Sequence, residues 1–194
     1  MKILPFLLFV IAMTGTPGPG NLAMFGIGQA TGFSGAIPFL CGTTAGFLLL
    51  NTAVGLGLGA LFTESPVVYG TLKAVGTAYI LYLAWKILRS RVAEPGAAHR
   101  FTFLEGLLIH PVSPKSWAMS VVGFSQFAQP DAALLPRMLV FVSLFFVGQV
   151  CFHSLWCAAG AFLMRLLTSP GIRLGVNALA VALMVGATFY ALLT

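Results

Sequence analysis

Apolar residues run along this chain in long blocks, and the polar residues that interrupt them cluster at a few points. No charged residue occurs between Lys2 and Glu64. One helix needs roughly 20 residues to cross the hydrocarbon core of a bilayer, so that run predicts two spans. They cover about 3–28 and 36–62, with the glycine-bearing segment from Gln29 to Gly35 as the turn between them. Glu64-Ser65-Pro66 turns the chain into a third helix, about 67–88. A polar linker, about 89–102, carries Arg89, Arg91, Glu94, Pro95, Gly96, His99 and Arg100. A fourth helix follows at about 103–127, a turn at Gln129-Pro130-Asp131, a fifth helix at about 138–164, and a sixth at about 174–193 after Ser169-Pro170-Gly171.

Two of these helices contain residues that forbid a regular helix. Thr16-Pro17-Gly18-Pro19-Gly20-Asn21 interrupts the first, and His110-Pro111-Val112-Ser113-Pro114-Lys115 interrupts the fourth. Inside a bilayer such breaks survive only where protein or a water-filled cavity satisfies the freed backbone groups. Three helices per half place the halves in opposite orientations, each with its first helix broken. That pattern predicts an all-α integral membrane protein, with one transmembrane domain (1–194) built as two inverted three-helix repeats. The repeats cover about 1–90 and 103–194, and the binding site is expected where they meet.

Composition agrees with the pattern. The chain is 59% hydrophobic and 7% charged, against roughly 25% charged in soluble domains. The alternating strands of a membrane barrel are absent from the sequence. A net charge of +6 raises the question of nucleic acid, but the cations are scattered and form no stripe, so they are read as topology signals and no nucleic-acid partner is expected. Lys86, Arg89, Arg91, Arg100, Arg165 and Arg173 flank the 3–4 linker and the 5–6 turn, which predicts a cytoplasmic side there and both termini outside. Lys2 followed by an apolar run imitates a signal peptide but lacks an A-x-A cleavage pattern, and it is read as the first helix. Cys41, Cys151 and Cys157 form no C-x-x-C pair and are read as packing residues. Gly42 and Gly46, four apart, predict close helix packing, while the Gly55, Gly57 and Gly59 series is open between packing and a hinge.

The breaks carry the chemistry. A discontinuous helix offers N–H groups at one half-helix start and carbonyls at the other half-helix end, which together suit a zwitterion. Pro17, Gly18, Pro19, Pro111 and Pro114 open the helices, and Asn21, Ser113 and Lys115 supply an amide, a hydroxyl and a deep positive charge. An unpaired ion at that depth costs at least ~2.5 kcal/mol, so Lys115 would welcome an anionic group from a substrate. Asn51, Lys73, His110, Gln149 and His153 are further candidates for cavity lining or proton coupling, each weighed against a plain packing or snorkelling role. Thr43, Thr44 and Ser154 can satisfy their own helix and carry little information. No phosphate-binding G-x-x-x-x-G-K-[ST] loop, H-E-x-x-H, G-x-S-x-G or clustered His/Cys set occurs, so no enzyme activity, cofactor or metal is expected.

Thr16-Pro17-Gly18-Pro19, Leu72-Lys73 with Gly76 to Lys86, and Phe103-Leu104-Glu105-Gly106 with Ser113-Pro114-Lys115 resemble the LysE/RhtB family of amino-acid exporters across essentially the whole chain. The third-helix sequence and the stretch from Leu155 to Gly160 look most like its cysteine/O-acetylserine efflux branch. The family's usual Pro-Gly-Pro-Asn becomes Pro19-Gly20 with Asn21 following, its usual Asn-Pro-Lys becomes Ser113-Pro114-Lys115, and its second-helix acidic residue and His become Phe47 and Asn51. The resemblance implies a bacterial inner-membrane secondary exporter of a small zwitterionic amino acid or derivative, with protons as coupling ion. Dimerisation is compatible with so small a unit. A thiol redox carrier and a non-transporting structural subunit are the alternatives.

Overall fold

The computed structural model describes residues 3–90, 100–127 and 133–193. Those residues are helical throughout, with short turns: α1 (Ile3–Gly15), α2 (Pro19–Ala53), a π-helical turn (Val54–Leu58), α3 (Gly59–Glu64), α4 (Pro66–Arg89), α5 (Phe103–Leu108), α6 (Pro114–Phe127), α7 (Leu134–Leu166) and α8 (Pro170–Leu193). Four of the helical stretches among them are long and apolar enough to cross a membrane: Pro19–Glu64, Pro66–Arg89, Leu134–Leu166 and Pro170–Tyr190. Ile3–Gly15 is apolar but shorter. Lys2, the linker residues Arg91, Glu94, Pro95, Gly96 and His99, and the turn Gln129-Pro130-Asp131 lie outside the described residues.

Both proline motifs break their helices, and the protein itself satisfies the exposed backbone. α1 stops at Gly15, and Pro19 opens α2 at the position where a missing N–H costs nothing. Asn21, in the first turn of α2, donates its amide back to the carbonyls of Thr14 and Thr16 at 2.7 and 2.8 Å. The second break runs from the end of α5 to Pro114, and its turns close through Val112 N–H to Leu108 O and Ser113 N–H to His110 O, at 3.2 and 3.0 Å. Trp117 adds an indole N–H to the Pro111 carbonyl at 2.8 Å. A capping box of Thr102 and Glu105 starts α5.

The turn expected over Gln29–Gly35 is narrower than the sequence suggests. Helical hydrogen bonding continues on both sides and only Gly32 departs from it, at φ 70° and ψ 173°, a conformation that other residues rarely adopt. A second departure, Gly57 at φ 98°, sits in the π-helical turn, while a methyl group on Gly55 or Gly59 would press on Met138 or Val121, so those two glycines stand at packing contacts.

Glycines set the helix spacing. A methyl group on Gly42 or Gly46 would collide with the carbonyl of Phe103 or Leu107, and one on Gly106 with the carbonyl of Phe39, so α2 and α5 touch backbone to backbone. Gly28 and Gly160 make the same reciprocal contact between α2 and α7, against Cys157 and Phe25. Gly76 of α4 presses on the Val112 carbonyl and holds α4 against the second break. Two apolar clusters fill the interior. One gathers Leu22, Ile27, Phe39, Ile80, Leu83, Ile109 and Met184, and the other is aromatic, around Phe6, Phe47, Phe141 and Phe145. Large apolar side chains such as Leu4, Leu49, Val67, Leu104 and Leu135 point outward, as a lipid-facing rim requires.

Away from the breaks, α4 and α5 are joined by a polar knot. Lys86 pairs with Glu105 and donates to the Arg100 carbonyl at 2.9 Å, while Tyr79 and Tyr82 donate to the Glu105 backbone and side chain.

Candidate functional site

The two breaks face one another across a single cavity. A void of about 260 Å³ lies between Pro17, Gly18 and Pro19 of the first break and Val112, Ser113, Pro114 and Lys115 of the second. Lys73, Gly76 and Thr77 of α4 and Thr188 and Tyr190 of α8 close it from the sides. A narrower extension of about 50 Å³ reaches inward to Asn21, His110, Ser116, Gln149 and His153, sharing Gly18, Pro19, Ile80, Ile109, Ser113 and Lys115 with the larger void. Both are roomy enough for water. The larger one falls just short of the roughly 300–1,000 Å³ of drug-sized ligand sites, so it suits a small ligand.

Its electrostatics follow from the chain's course. α2 and α6 both begin with a proline at this cavity, each directing a half-helix N-terminus and its partial positive charge toward the same space. Lys115 projects from the first turn of α6 across to the other break, where its ammonium donates to the Thr16 hydroxyl at 3.4 Å and occupies the space a β-carbon on Gly18 would need. Lys73 lies on the α4 wall with its ammonium 4.9 Å from the centre of the Tyr69 ring. No carboxylate belongs to the described lining of either void. The arrangement is an anion-accepting pocket with polar groups deeper inside.

Those deeper groups form one connected chain. Gln149 Nε2 meets Nε2 of His110 at 3.0 Å and also Nε2 of His153, four residues along the same helix. His110 Nδ1 lies 2.9 Å from the Ser116 hydroxyl, and His153 Nδ1 3.2 Å from the Thr43 hydroxyl. The two imidazoles stack with centroids 5.4 Å apart and planes 21° from parallel. Phe47 covers the outer side of His110 at 4.6 Å.

Of the residues singled out from the sequence, Pro17, Gly18, Pro19, Ser113, Pro114, Lys115 and Lys73 line the larger void, and Asn21, His110, Gln149 and His153 line its extension. Asn21 spends its amide N–H groups on sealing α1. Pro111 is outside both linings and serves Trp117 instead. Asn51 is also elsewhere, donating to Phe47 O at 2.8 Å and accepting from Ser120 at 2.9 Å. Thr16, Ser116, Thr77 and Thr188 are not among the candidate residues, and Thr43 is read from the sequence as satisfied within its own helix. Their hydroxyls acquire partners or a place in the wall through contacts remote in sequence, and Thr16, beside Pro17, and Ser116, beside Lys115, carried a positional hint. The cysteines are free thiols: Cys157 is fully buried in the apolar core, whereas Cys41 and Cys151 are exposed rather than packed inside. Among the described residues no cluster of His, Cys, Asp or Glu could hold a metal.

A family model described as LysE type translocator matches residues 11–194. The chain belongs to the LysE type translocator family. Its long apolar helices make this translocator a multi-pass membrane protein. It is similar to the cysteine/O-acetylserine efflux protein of Salmonella typhimurium (strain LT2), 29% identical over 185 residues that cover 91% of each chain. The cysteine/O-acetylserine efflux protein of Escherichia coli (strain K12) is 29% identical over 179 residues, 88% of each chain. No solved structure matches.

Proposed function

We propose that this translocator is a secondary exporter of small amino acids or their derivatives across the bacterial inner membrane, driven by the proton motive force. One observation carries the reading: two proline-led half-helix starts and the Lys115 ammonium converge on one small cavity that no described carboxylate lines. A substrate carboxylate fits that convergence, and the carbonyls and side chains further in can receive its ammonium. The names of the similar efflux proteins support an amino-acid cargo, with cysteine and O-acetylserine the first compounds to try. The sequence carries no phosphate-binding loop, which favours an ion gradient as the energy source.

In this reading α1 with the start of α2 forms the first broken span, and α5 with α6 forms the fourth. Six spans then arrange as two inverted repeats, about 1–90 and 103–194, that rock against each other around the cavity. The basic ends of the third and fifth spans put the 3–4 linker in the cytoplasm and both termini outside.

The test is efflux from cells or inverted vesicles carrying the full chain, against a panel of labelled amino acids and derivatives, with and without a protonophore. Accumulation of at least one compound that collapses with the protonophore is expected. Transport of none of them sinks the proposal, and transport indifferent to the protonophore removes the proton drive.

A further inference from the structure

The hydrogen bonds around Gln149 define the state of two imidazoles. A primary amide nitrogen carries two hydrogens, and it can serve Nε2 of His110 and Nε2 of His153 together only if both rings present a lone pair there. Both rings are then neutral, with their hydrogens on Nδ1, pointing at Ser116 and Thr43. The Thr43 hydroxyl accepts from His153 and passes its own hydrogen to the Leu40 carbonyl at 2.9 Å, so the chain closes without a conflict. Two rings stacked at 5.4 Å with a shared partner cannot both be charged, which limits the pair to one proton.

Their position ties this pair to the substrate pocket. Gly18 and Gly20 lie in the opening turn of α2. A methyl group at Gly18 would fall 2.7 Å from Lys115 Nζ, and one at Gly20 would fall 3.6 Å from His153 Nε2. Lys115, His110, Gln149 and His153 all line the same narrow void. A small zwitterion that gave its carboxylate to Lys115 there would have the Gln149 amide and the imidazoles as the polar side chains within reach of its ammonium. Thr43 and Phe47 of α2 touch the pair directly, and the void beside it is further lined by Met13 and Thr14 of α1, Asn21 of α2, Ile80 of α4, and Ser116 and Met119 of α6; Lys115 is the one charged side chain in that lining, and Lys73 lines the adjoining void.

We infer that His110, Gln149 and His153 form a single site at which one proton and the ammonium group of the substrate exclude each other, which would make the export an exchange. The inference rests on the exporter reading above. Rotation of the Gln149 amide exchanges its nitrogen for its oxygen, and the oxygen then accepts either from a protonated Nε2–H or from the substrate's ammonium. On the outer side a proton from water binds one imidazole and repels the ammonium, releasing the substrate. On the inner side that proton leaves to water, and the next ammonium takes its place. One proton enters for each substrate that leaves, and no other bond changes.

The experiment measures binding of labelled O-acetyl-L-serine to the purified full chain between about pH 7 and pH 4, a range that reaches below ordinary imidazole titration because both rings are buried, alongside exchange in proteoliposomes. Wild-type affinity is expected to fall toward about tenfold per pH unit at the acid end, as competition with one proton requires. His110→Asn/His153→Gln is expected to flatten that slope at whatever affinity it retains. Gln149→Met keeps both rings but removes the bridge, and it is expected to move the midpoint of the profile; it serves where the double variant does not fold, as judged by size-exclusion chromatography and circular dichroism. A flat wild-type profile, an unchanged slope in the double variant, or an unmoved midpoint in Gln149→Met overturns the exclusion site while leaving the exporter standing. Wild-type protein that exchanges no amino acid of the panel overturns the exporter reading instead.

Discussion

The Lys115 ammonium lies 2.7 Å from the point where a β-carbon on Gly18 would stand, so that the first break and the second meet through a lysine and a residue without a side chain. Gly18 itself is extended, at φ −149° and ψ 173°, where any residue is comfortable. Glycine is required here for space. Gly18→Ala should therefore leave folding and membrane insertion intact while pushing Lys115 off its position. Loss of about one charge-assisted hydrogen bond predicts roughly a tenfold drop in initial efflux rate. A wild-type rate from Gly18→Ala, at equal expression, would show that the lysine end relocates freely.

Lys115→Met separates a binding cation from a snorkelling one. Removing a deep charge spares at least ~2.5 kcal/mol of burial cost, so the variant should accumulate in membranes as well as wild type or better. Its apparent KM for the transported amino acid should rise about tenfold or more, from loss of a charged partner for the carboxylate. An unchanged KM counts against Lys115 as the carboxylate's partner.

Helix spacing gives a stability contrast. Gly160→Ala drives a methyl group into the Phe25 carbonyl, and the backbones of α7 and α2 must separate. The expected loss is about 1–3 kcal/mol, read as a lower thermal midpoint in detergent. Gly186 of α8 has nothing within 4 Å of the same methyl position, and Gly186→Ala should keep or slightly raise the midpoint through helix propensity.

The Lys86–Glu105 pair is half hidden between α4 and α5, with side chains 8% and 14% exposed. Glu105→Gln leaves the lysine without its counter-charge and weakens the capping box at Thr102. A destabilisation of about 3 kcal/mol is expected, and Lys86→Met in the same chain should recover much of it. If the double variant is no better than the single one, the ion pair is not what joins these helices.

Replacing Cys41, Cys151 and Cys157 together with Ala should leave efflux within about twofold of wild type, since Cys41 and Cys151 are exposed and Cys157 loses a single buried sulfur, at a stability cost of about 1 kcal/mol. Abolished activity at normal expression would favour a thiol-based mechanism.

Much of this molecule is legible in one dimension, because a bilayer imposes one-dimensional rules. Spanning demands about 20 apolar residues, and two prolines packed into six residues, joined by glycines in the first break, leave a helix no way to continue, whereas the single Pro38 is carried inside α2. The two breaks, the long apolar helices α4, α7 and α8, and the packing glycines Gly42 and Gly46 could therefore be read from spacing and residue type. Lys115 stood out for the same local reason, as a charge where none is cheap. The extent of the Gln29–Gly35 turn was less legible. Helix continues on both sides of Gly32 because one glycine at positive φ redirects the chain by itself, and the other polar and small residues of the segment keep helical hydrogen bonding.

The partners of the polar side chains could not be read in this way. Asn51 and Gln149 are both lone amides in apolar helices, yet one closes on Ser120 and its own helix while the other bridges two histidines. Thr43 satisfies its own helix at the Leu40 carbonyl, as expected, and also meets His153, 110 positions away in the chain. Periodicity and composition determined the class, the helices and the places where they fail. Which side chains meet at those places was decided by backbone contacts at Gly28, Gly76, Gly106 and Gly160, because hydrogen bonds depend on distances of tenths of an ångström that only the packed helices set.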